Sequence, residues 1–299
     1  MIESELEWLD QFLGYLVREK AYSPHTKSAY QRDIEHFNAF CTSQSLATWD
    51  ALNPQHVRQY AANCHRQGSS GRSIQRRLSS VRSFYHFLMR EGRVESNPAL
   101  SIKAPKSEKR LPKVLDVDQM EQLLRVESTD LISLRDIAIM ELFYSSGLRL
   151  TELVELNIFD LDLTDNVVRV TGKGNKTRIV PIGRLAKQAL QAWLSVRGQW
   201  ANDLESAIFI SKRGGRIKQR SIQERLRIWG VKQGVSGEVH PHRLRHSFAS
   251  HLLESSGDIR AVQELLGHAN ISTTQVYTHL DFQHLAKVYD AAHPRAKKK

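Results

Sequence analysis

The sequence predicts a mainly α-helical protein in two parts, with a small antiparallel sheet in the second part. In roughly the first hundred residues, apolar positions recur at spacings of three and four, which is the period of amphipathic helices. The stretch ESNPALSIKAPKSEKRLPKVL has no such period, is rich in proline and basic residues, and is typical of a linker. Beyond it, NVVRVTGKGNKTRIVPI alternates and turns at GKGNK, which predicts a β-hairpin.

The length and the linker signal together predict two domains. With 299 residues, the chain is long enough for two domains and a sizeable core. We place a helical domain at residues 1–103, a basic linker at 104–112 and a mixed α/β domain at 113–299. A stiff, basic linker also suits a chain that passes along a phosphate backbone.

Four helices are predicted in the first domain. The apolar stripe of the first comprises Leu6, Leu9, Phe12, Leu13 and Leu16. Ser23 and Pro24 supply an N-cap and the first position of the second helix. The third helix begins near Pro54, and the fourth runs from Ser70 to Arg90.

The fourth helix has two contrasting faces. Its apolar stripe comprises Ile74, Leu78, Val81, Tyr85 and Leu88, and the opposite side carries Arg72, Arg76, Ser79 and Ser83. Arginine donates to phosphates in a fork and serine adds short bonds, so this side suits DNA. Arg72 and Arg76 are therefore our candidate DNA-binding residues, and an ordinary solvated face is an equally good interpretation.

The second domain is predicted to mix helices with the hairpin. Asp116 is placed to cap a helix, and a helix over Ser133–Ser145 ends at Gly147, a suitable residue for a left-handed C-terminal turn. Another helix is marked by Leu150, Leu153 and Val154. From Arg184 onward, the pattern is again mostly helical.

Bulk composition limits the class of protein. Hydrophobic residues make up 40%, as in ordinary soluble globular proteins, and no apolar run approaches the ~18 residues that span a bilayer. The acidic opening MIESELEWLD predicts neither a secretory signal nor a transit peptide. Cys41 and Cys64 lack CxxC spacing, which indicates core thiols in a reducing cytoplasm without structural zinc.

The charge balance points to a polyanionic partner. The formal net charge is +11 and the pI is about 9.7, which makes a nucleic acid the leading candidate. A basic surface without a nucleic-acid role is the alternative. A membrane-surface role is weaker, because the charge is spread along the chain and is not gathered on one amphipathic helix.

Four short stretches of the second domain carry unusual polar residues: GLRLTELVEL, TGKGNKTR, HPHRLRHSFASHL and LGHANISTTQVYTHL. The candidate catalytic residues in them are Arg149, Lys173, His242, Arg245, His268 and Tyr277. His242 and Arg245 are three apart, which places them on one face of a helix. Tyr277 stands among small polar residues, where a core tyrosine is not expected.

Together these groups suit phosphoryl transfer. Two arginines can clamp a phosphodiester and neutralise the charge of its transition state. Tyr277 can attack the phosphorus once a histidine takes its proton, since a phenol with a pKa of about 10 is otherwise a weak nucleophile. Lys173 can protonate the leaving 5′ oxygen. The chain lacks a dense Asp/Glu cluster for magnesium, so we expect neither metal nor cofactor.

Each candidate also has a simpler interpretation. Arg149 can form a structural ion pair with Glu152, Lys173 can be an ordinary charged hairpin tip, and Tyr277 can be a surface tyrosine. The histidines that could bind a metal instead are His240, His242, His246 and His251. They lack the glutamate of HExxH, which disfavours zinc hydrolysis. The combination of all four stretches in one basic chain favours phosphoryl transfer.

At these residues the sequence resembles the tyrosine recombinase (phage integrase) family. The motifs are GLRLTEL, TGKGNKTR, HPHRLRHSFASHLLESSGD and LLGHANISTTQVYTH, and the resemblance covers nearly the whole chain. It implies a SAM-like, four-helix core-binding domain and a tyrosine-recombinase catalytic domain. It also implies that Tyr277 forms a 3′-phosphotyrosyl link to DNA, that Arg149 and Arg245 hold the phosphate, and that Lys173 is the general acid.

The resemblance further assigns His242 to proton transfer and His268 to a phosphate oxygen. It implies a C-terminal helix that docks on a neighbouring subunit. The apolar face expected there comprises Phe282, Leu285, Val288 and Tyr289.

The implied partners are double-stranded DNA at a chromosomal dimer-resolution site, a sister recombinase in a heterotetramer and a septal DNA translocase, with no membrane. Three alternatives remain open from the sequence. They are a type IB topoisomerase-like relaxing activity, a phage or integron integrase, and a DNA-binding protein that has lost catalysis.

Overall fold

The computed structural model describes residues 3–105, 114–126, 130–172, 176–202, 204–267, 288–289 and 291–294. The chain forms two compact units, Met1–Arg110 and Leu111–Lys299. Residues 106–113, which include most of the predicted linker, lie outside the described residues. The finer boundaries at 103 and 113 therefore stay predictions. None of the helices in the described ranges is long and apolar enough to cross a membrane.

The first unit contains the four predicted helices. They are α1 (Glu3–Arg18), α2 (Pro24–Ser43), α3 (Pro54–Arg66) and α4 (Gly71–Arg90). The Ser23 hydroxyl accepts the Thr26 amide at 3.2 Å and Pro24 occupies the first turn, so the predicted start of α2 is confirmed.

Aromatic rings form the centre of this unit. The Phe84 ring lies 5.2 Å from the Phe12 ring and 4.9 Å from the Trp49 ring, in edge-to-face contacts. The whole predicted stripe of α4 is buried, whereas Leu6 of the α1 stripe is exposed. Both cysteines are buried free thiols, as predicted.

The described part of the second unit contains seven α-helices before residue 268, a short 3₁₀ helix (Ile158–Asp160) and one sheet. The helices are α5 (Val117–Leu124), α6 (Leu131–Ser146), α7 (Leu150–Glu155), α8 (Arg184–Arg197), α9 (Gln219–Lys232), α10 (Pro241–Ser256) and α11 (Ile259–Leu266). The strands are β1 (Leu161–Asp162), β2 (Val167–Thr171) and β3 (Thr177–Pro181), all antiparallel in the order β1-β2-β3. The predicted hairpin and the mainly α fold class are confirmed.

Helix α6 is the central element of the second unit. It is buried on nearly all sides, polar residues included, and packs against α8 and α10. It begins at Leu131, two residues before the predicted start, because the Asp130 carboxylate caps the amides of Ile132 and Ser133 at 3.0 Å each. Gly147 ends it in a left-handed turn with φ 56°, as predicted.

The C-terminal segment differs from our expectation at Tyr289. Its ring is fully buried within its own chain and stacks on His293 with centroids 4.8 Å apart. Its hydroxyl hydrogen-bonds the Ser145 hydroxyl at 2.6 Å. Tyr289 therefore does not form the apolar face predicted to meet a neighbour, because its polar tip and its ring both find partners in this unit. Phe282 and Leu285 lie outside the described residues.

Candidate active site

A glycine turn after α6 places Arg149 at the start of α7. A Cβ on Gly147 would lie 2.3 Å from the Phe248 ring of α10, so only glycine allows both the left-handed turn and this packing. Arg149 follows two residues later as the N-cap of α7, in extended backbone conformation. Its side chain is 37% exposed, which leaves it accessible from solvent.

Glu152 fixes the orientation of Arg149. One carboxylate oxygen accepts the Arg149 amide at 2.8 Å, and the other accepts Nη1 at 2.7 Å. The structural ion pair that we considered as an alternative is therefore present. It is compatible with a phosphate site, because Nη2 turns away from Glu152 and donates to the Gly267 carbonyl at 2.9 Å.

Arg245 converges on the same place from α10. Its Nη1 donates to the Gly147 carbonyl and its Nη2 to the Leu266 carbonyl at 2.6 Å. Since Leu266 and Gly267 are adjacent, the guanidinium groups of Arg149 and Arg245 lie close together. Burial, and secondarily the charge of Arg149, lowers the pKa of Arg245 to about 10. Arg245 thus stays protonated at neutral pH, and the structure brings together the two arginines that the sequence predicted.

His242 lies on α10 one turn before Arg245 and is exposed. The other candidate histidines have different environments: His251 is buried and bonds the Tyr144 hydroxyl at 2.8 Å, and His240 caps α10 through the Arg243 amide at 3.2 Å. In the described ranges, no group of three or more His, Cys, Asp or Glu side chains is placed to hold a metal ion.

Lys173, His268 and Tyr277 lie outside the described residues. The described residues that precede Lys173 and His268 lie at the arginine pair. A Cβ on Gly172, which precedes Lys173, would be 3.4 Å from Glu152 Oε1. The carbonyl of Gly267, which precedes His268, accepts the bond from Arg149.

Two further residues, Arg178 and Glu152, belong to this cluster, and the sequence analysis did not identify them as part of the site. Arg178 of β3 is buried and donates Nη1 and Nη2 to the Glu152 carboxylate at 2.8 and 2.9 Å. Burial by itself would raise the pKa of Glu152, but the bonds and charges of Arg178, and then of Arg149, lower it to about 2. The alternation of TRIVP was the available signal, since Arg178 and Val180 share the buried face while Ile179 is exposed.

The candidate DNA-binding residues of α4 differ from each other in their contacts. Arg72 is exposed. Arg76 is half exposed, and its guanidinium pairs with the buried Asp33, which also accepts the Ser80 hydroxyl at 2.8 Å. The structure thus gives Arg76 a structural partner on α2.

Comparison with known proteins identifies the family. Residues 113–284 match the phage integrase family, and residues 9–92 match the phage integrase N-terminal SAM-like domain. The chain belongs to the phage integrase family. This family consists of tyrosine recombinases, which cleave and rejoin DNA strands through a tyrosine intermediate without a metal. The predicted family, enzyme class and SAM-like N-terminal fold are therefore confirmed.

Relatives of this recombinase match it along nearly their whole length. The tyrosine recombinase XerC of Alcanivorax borkumensis is 52% identical over 297 residues, covering 98% of this chain and 96% of the relative. The tyrosine recombinase XerC of Pseudomonas aeruginosa is 54% identical, covering 97% and 96%. A crystal structure of a lambda integrase dimer bound to a COC′ core site shares the fold, with a TM-score of 0.68, 18% identity and coverage of 91% and 99%.

Proposed function

We propose that this chain is a chromosome-dimer recombinase of the XerC type. It cuts and rejoins double-stranded DNA at a dif-like site, in a heterotetramer with an XerD-like partner recombinase. An FtsK-like translocase controls the reaction, and the recombinase itself acts in the cytoplasm. The observation that carries this proposal is the identity above one half, over nearly the full chain, with proteins named tyrosine recombinase XerC.

The chemical step is a transesterification. The Tyr277 oxygen attacks the scissile phosphorus, so a phenolic O–P bond forms while the bond from phosphorus to the 5′ oxygen breaks. Arg149 and Arg245 neutralise the charge on the non-bridging oxygens during this exchange. Their convergence on the Gly267 and Leu266 carbonyls supports this role, because two guanidinium groups at one point make a site for a single phosphate.

Proton transfers complete the step. The phenolic proton passes to His242, Lys173 gives a proton to the departing 5′ oxygen, and His268 bonds a phosphate oxygen. The exposed position of His242, one turn from Arg245, supports its role. The reverse reaction needs no ATP, because one phosphodiester replaces another of similar energy.

Arg72 is proposed to contact a DNA phosphate. We expect Arg72→Ala to reduce the slope of log affinity against log salt by about 0.9, which corresponds to one phosphate contact. The measurement is fluorescence anisotropy with labelled duplex between about 50 and 200 mM salt. Arg18→Ala, at an exposed arginine of α1 in the same unit, is the control. An unchanged slope would remove Arg72 from the interface.

The choice of site and partner is tested by binding to DNA. We expect the purified chain to bind a dif-like duplex more tightly than an unrelated duplex at the same salt. Addition of an XerD-like recombinase should increase occupancy, because subunit contacts add to the DNA contacts. Gel mobility at fixed ionic strength measures both effects.

Two other outcomes would redirect the proposal. Equal affinity for both duplexes, with strand exchange only on phage or integron attachment sites, would favour an integrase. Tight binding without any covalent product would favour a DNA-binding protein that lacks catalysis.

A further inference from the structure

Three successive carbonyl groups at the end of α11 each meet a different arginine. The amide of Gly267, in a left-handed turn with φ 64°, bonds the Gln263 and Glu264 carbonyls. The next two carbonyls, of Leu265 and Leu266, belong to the last turn, where a helix leaves its carbonyl groups without internal donors, and the third is that of the Gly267 turn. They accept hydrogen bonds from Arg178 at Leu265, Arg245 at Leu266 and Arg149 at Gly267, at 3.1, 2.6 and 2.9 Å respectively. Positive charge at this position also complements the helix dipole.

Arg178 differs from the other two arginines in its accessibility. Its side chain is 8% exposed, whereas that of Arg149 is 37% exposed. Its Nε, Nη1 and Nη2 are all used within the chain, by the Leu265 carbonyl and the Glu152 carboxylate. Arg178 is therefore not placed to bind DNA, and its bonds connect β3 with both α7 and α11.

Gly267 allows Arg178 to approach this closely. A Cβ on Gly267 would lie 3.1 to 3.2 Å from Nη1, Cζ and Nε of Arg178. The left-handed turn and the close contact thus fall on the same residue. The distance between the end of α11 and the Arg178 guanidinium is set at this residue.

We infer that Arg178 is a positioning residue for the cleavage step. By bridging Glu152 and the Leu265 carbonyl, it holds the carboxyl end of α11 at a fixed distance from Arg149. The chain continues from this end to His268 and Tyr277, so Arg178 sets the point from which the nucleophile segment departs. The inference rests on the proposed function, since it concerns the same reaction.

Arg178→Lys tests the inference directly. Lysine keeps the charge but lacks the planar fork, so it does not bind both Glu152 oxygens and the carbonyl together. We expect the first-order cleavage rate at saturating nicked suicide DNA to fall about 100-fold, the cost of a displacement of about 1 Å. The dissociation constant for the same DNA should stay within about twofold, because Arg178 makes no contact that reaches the substrate.

A second buried arginine supplies the matched control. Arg197 of α8 is 7% exposed and donates to the Ala207 and Glu205 carbonyls of the same unit. Arg197→Lys therefore removes a comparable set of buried bonds that do not include α11. We expect it to lower the thermal midpoint about as much as Arg178→Lys while leaving the cleavage rate within about twofold.

A glycine pair gives an independent test that keeps every arginine. Gly267 and Gly257 both end helices at φ near +65°, at 64° and 67°. A Cβ at Gly257 meets nothing within 4 Å, whereas one at Gly267 meets the Arg178 guanidinium. Both alanine variants carry the strain of the left-handed turn, and only Gly267→Ala should slow cleavage at saturating DNA.

The outcomes separate this inference from the proposed function. If the wild-type protein forms the covalent adduct and Arg178→Lys cleaves as fast as Arg197→Lys, the inference alone is overturned. Equal cleavage rates for Gly267→Ala and Gly257→Ala would also overturn the inference alone. Wild-type protein that forms no adduct would overturn the proposed function, and the inference with it.

Discussion

Tyr277→Phe is expected to abolish the covalent protein–DNA adduct. The substitution removes only the phenolic oxygen, so no nucleophile remains at the phosphorus, while the charged groups that bind DNA are unchanged. A phenylalanine ring has no oxygen with which to form an O–P bond, so the adduct should fall below detection. The measurement is a denaturing gel of protein incubated with nicked suicide DNA.

The controls for Tyr277→Phe separate chemistry from folding. Its affinity for duplex DNA and its thermal midpoint should match those of the wild-type protein. Tyr22→Phe, at an exposed tyrosine of the first unit, should form the adduct at the normal rate. An adduct that persists in Tyr277→Phe would mean that another residue is the nucleophile, and the proposed mechanism would then be wrong.

Glu152→Gln is expected to cause the largest loss of stability among the site variants. The Glu152 side chain is 2% exposed and accepts bonds from both Arg149 and Arg178. Loss of its charge leaves the buried Arg178 without a counter-charge. Removal of one partner from a buried pair costs about 3–5 kcal/mol of unfolding free energy. Urea denaturation at neutral pH measures this change.

The same variant should also slow cleavage, because Arg149 loses the carboxylate that orients it. The control is Glu224→Gln, since Glu224 forms an ion pair with Arg227 in which both side chains are 53% exposed. We expect no measurable change in stability or cleavage there. Equal stability of the Glu152 and Glu224 variants would contradict the structural role of Glu152.

The lowered pKa of Glu152 predicts an acid-sensitive contribution to stability. Its pKa is about 2 in the folded chain, against an ordinary value of 4.5. Because the folded value is the lower one, the stabilisation is complete above about pH 4.5 and is lost as the pH falls towards 2. This contribution is about 3 kcal/mol, from about 1.4 kcal/mol per pKa unit. The urea midpoint of the wild-type protein should fall more steeply below pH 4.5 than that of Glu152→Gln.

Local signals were sufficient for much of the fold. The apolar stripe of α4, the cap at Ser23, the turn at Gly147 and the hairpin of β2 and β3 all agree with the sequence prediction. Each depends on residues within a few positions of one another, through helical period, capping or turn preference. The exposure of Leu6 was not predictable in this way, because it depends on what packs against the end of the stripe.

The candidate site was predictable only in part. The two arginines were identified from their motifs and they do converge. Glu152 entered the prediction only as an alternative partner of Arg149, and Arg178 did not enter it. Tyr289 was predicted to belong to an apolar face that docks on a neighbouring subunit, and it instead packs against Ser145 and His293 of its own unit. These contacts join residues up to 144 positions apart, and no local pattern encodes them.

The sequence by itself determined the family and the order of the helices and strands, and it predicted the residues for phosphoryl transfer, because these depend on residue type and short-range spacing. Only the tertiary structure decided that one buried carboxylate accepts hydrogen bonds from two arginines and that three arginines donate to carbonyl groups at the end of α11. The physical reason is that a buried charge and an unpaired carbonyl must each find a partner in space. Which residue supplies that partner is settled by the packing of distant segments.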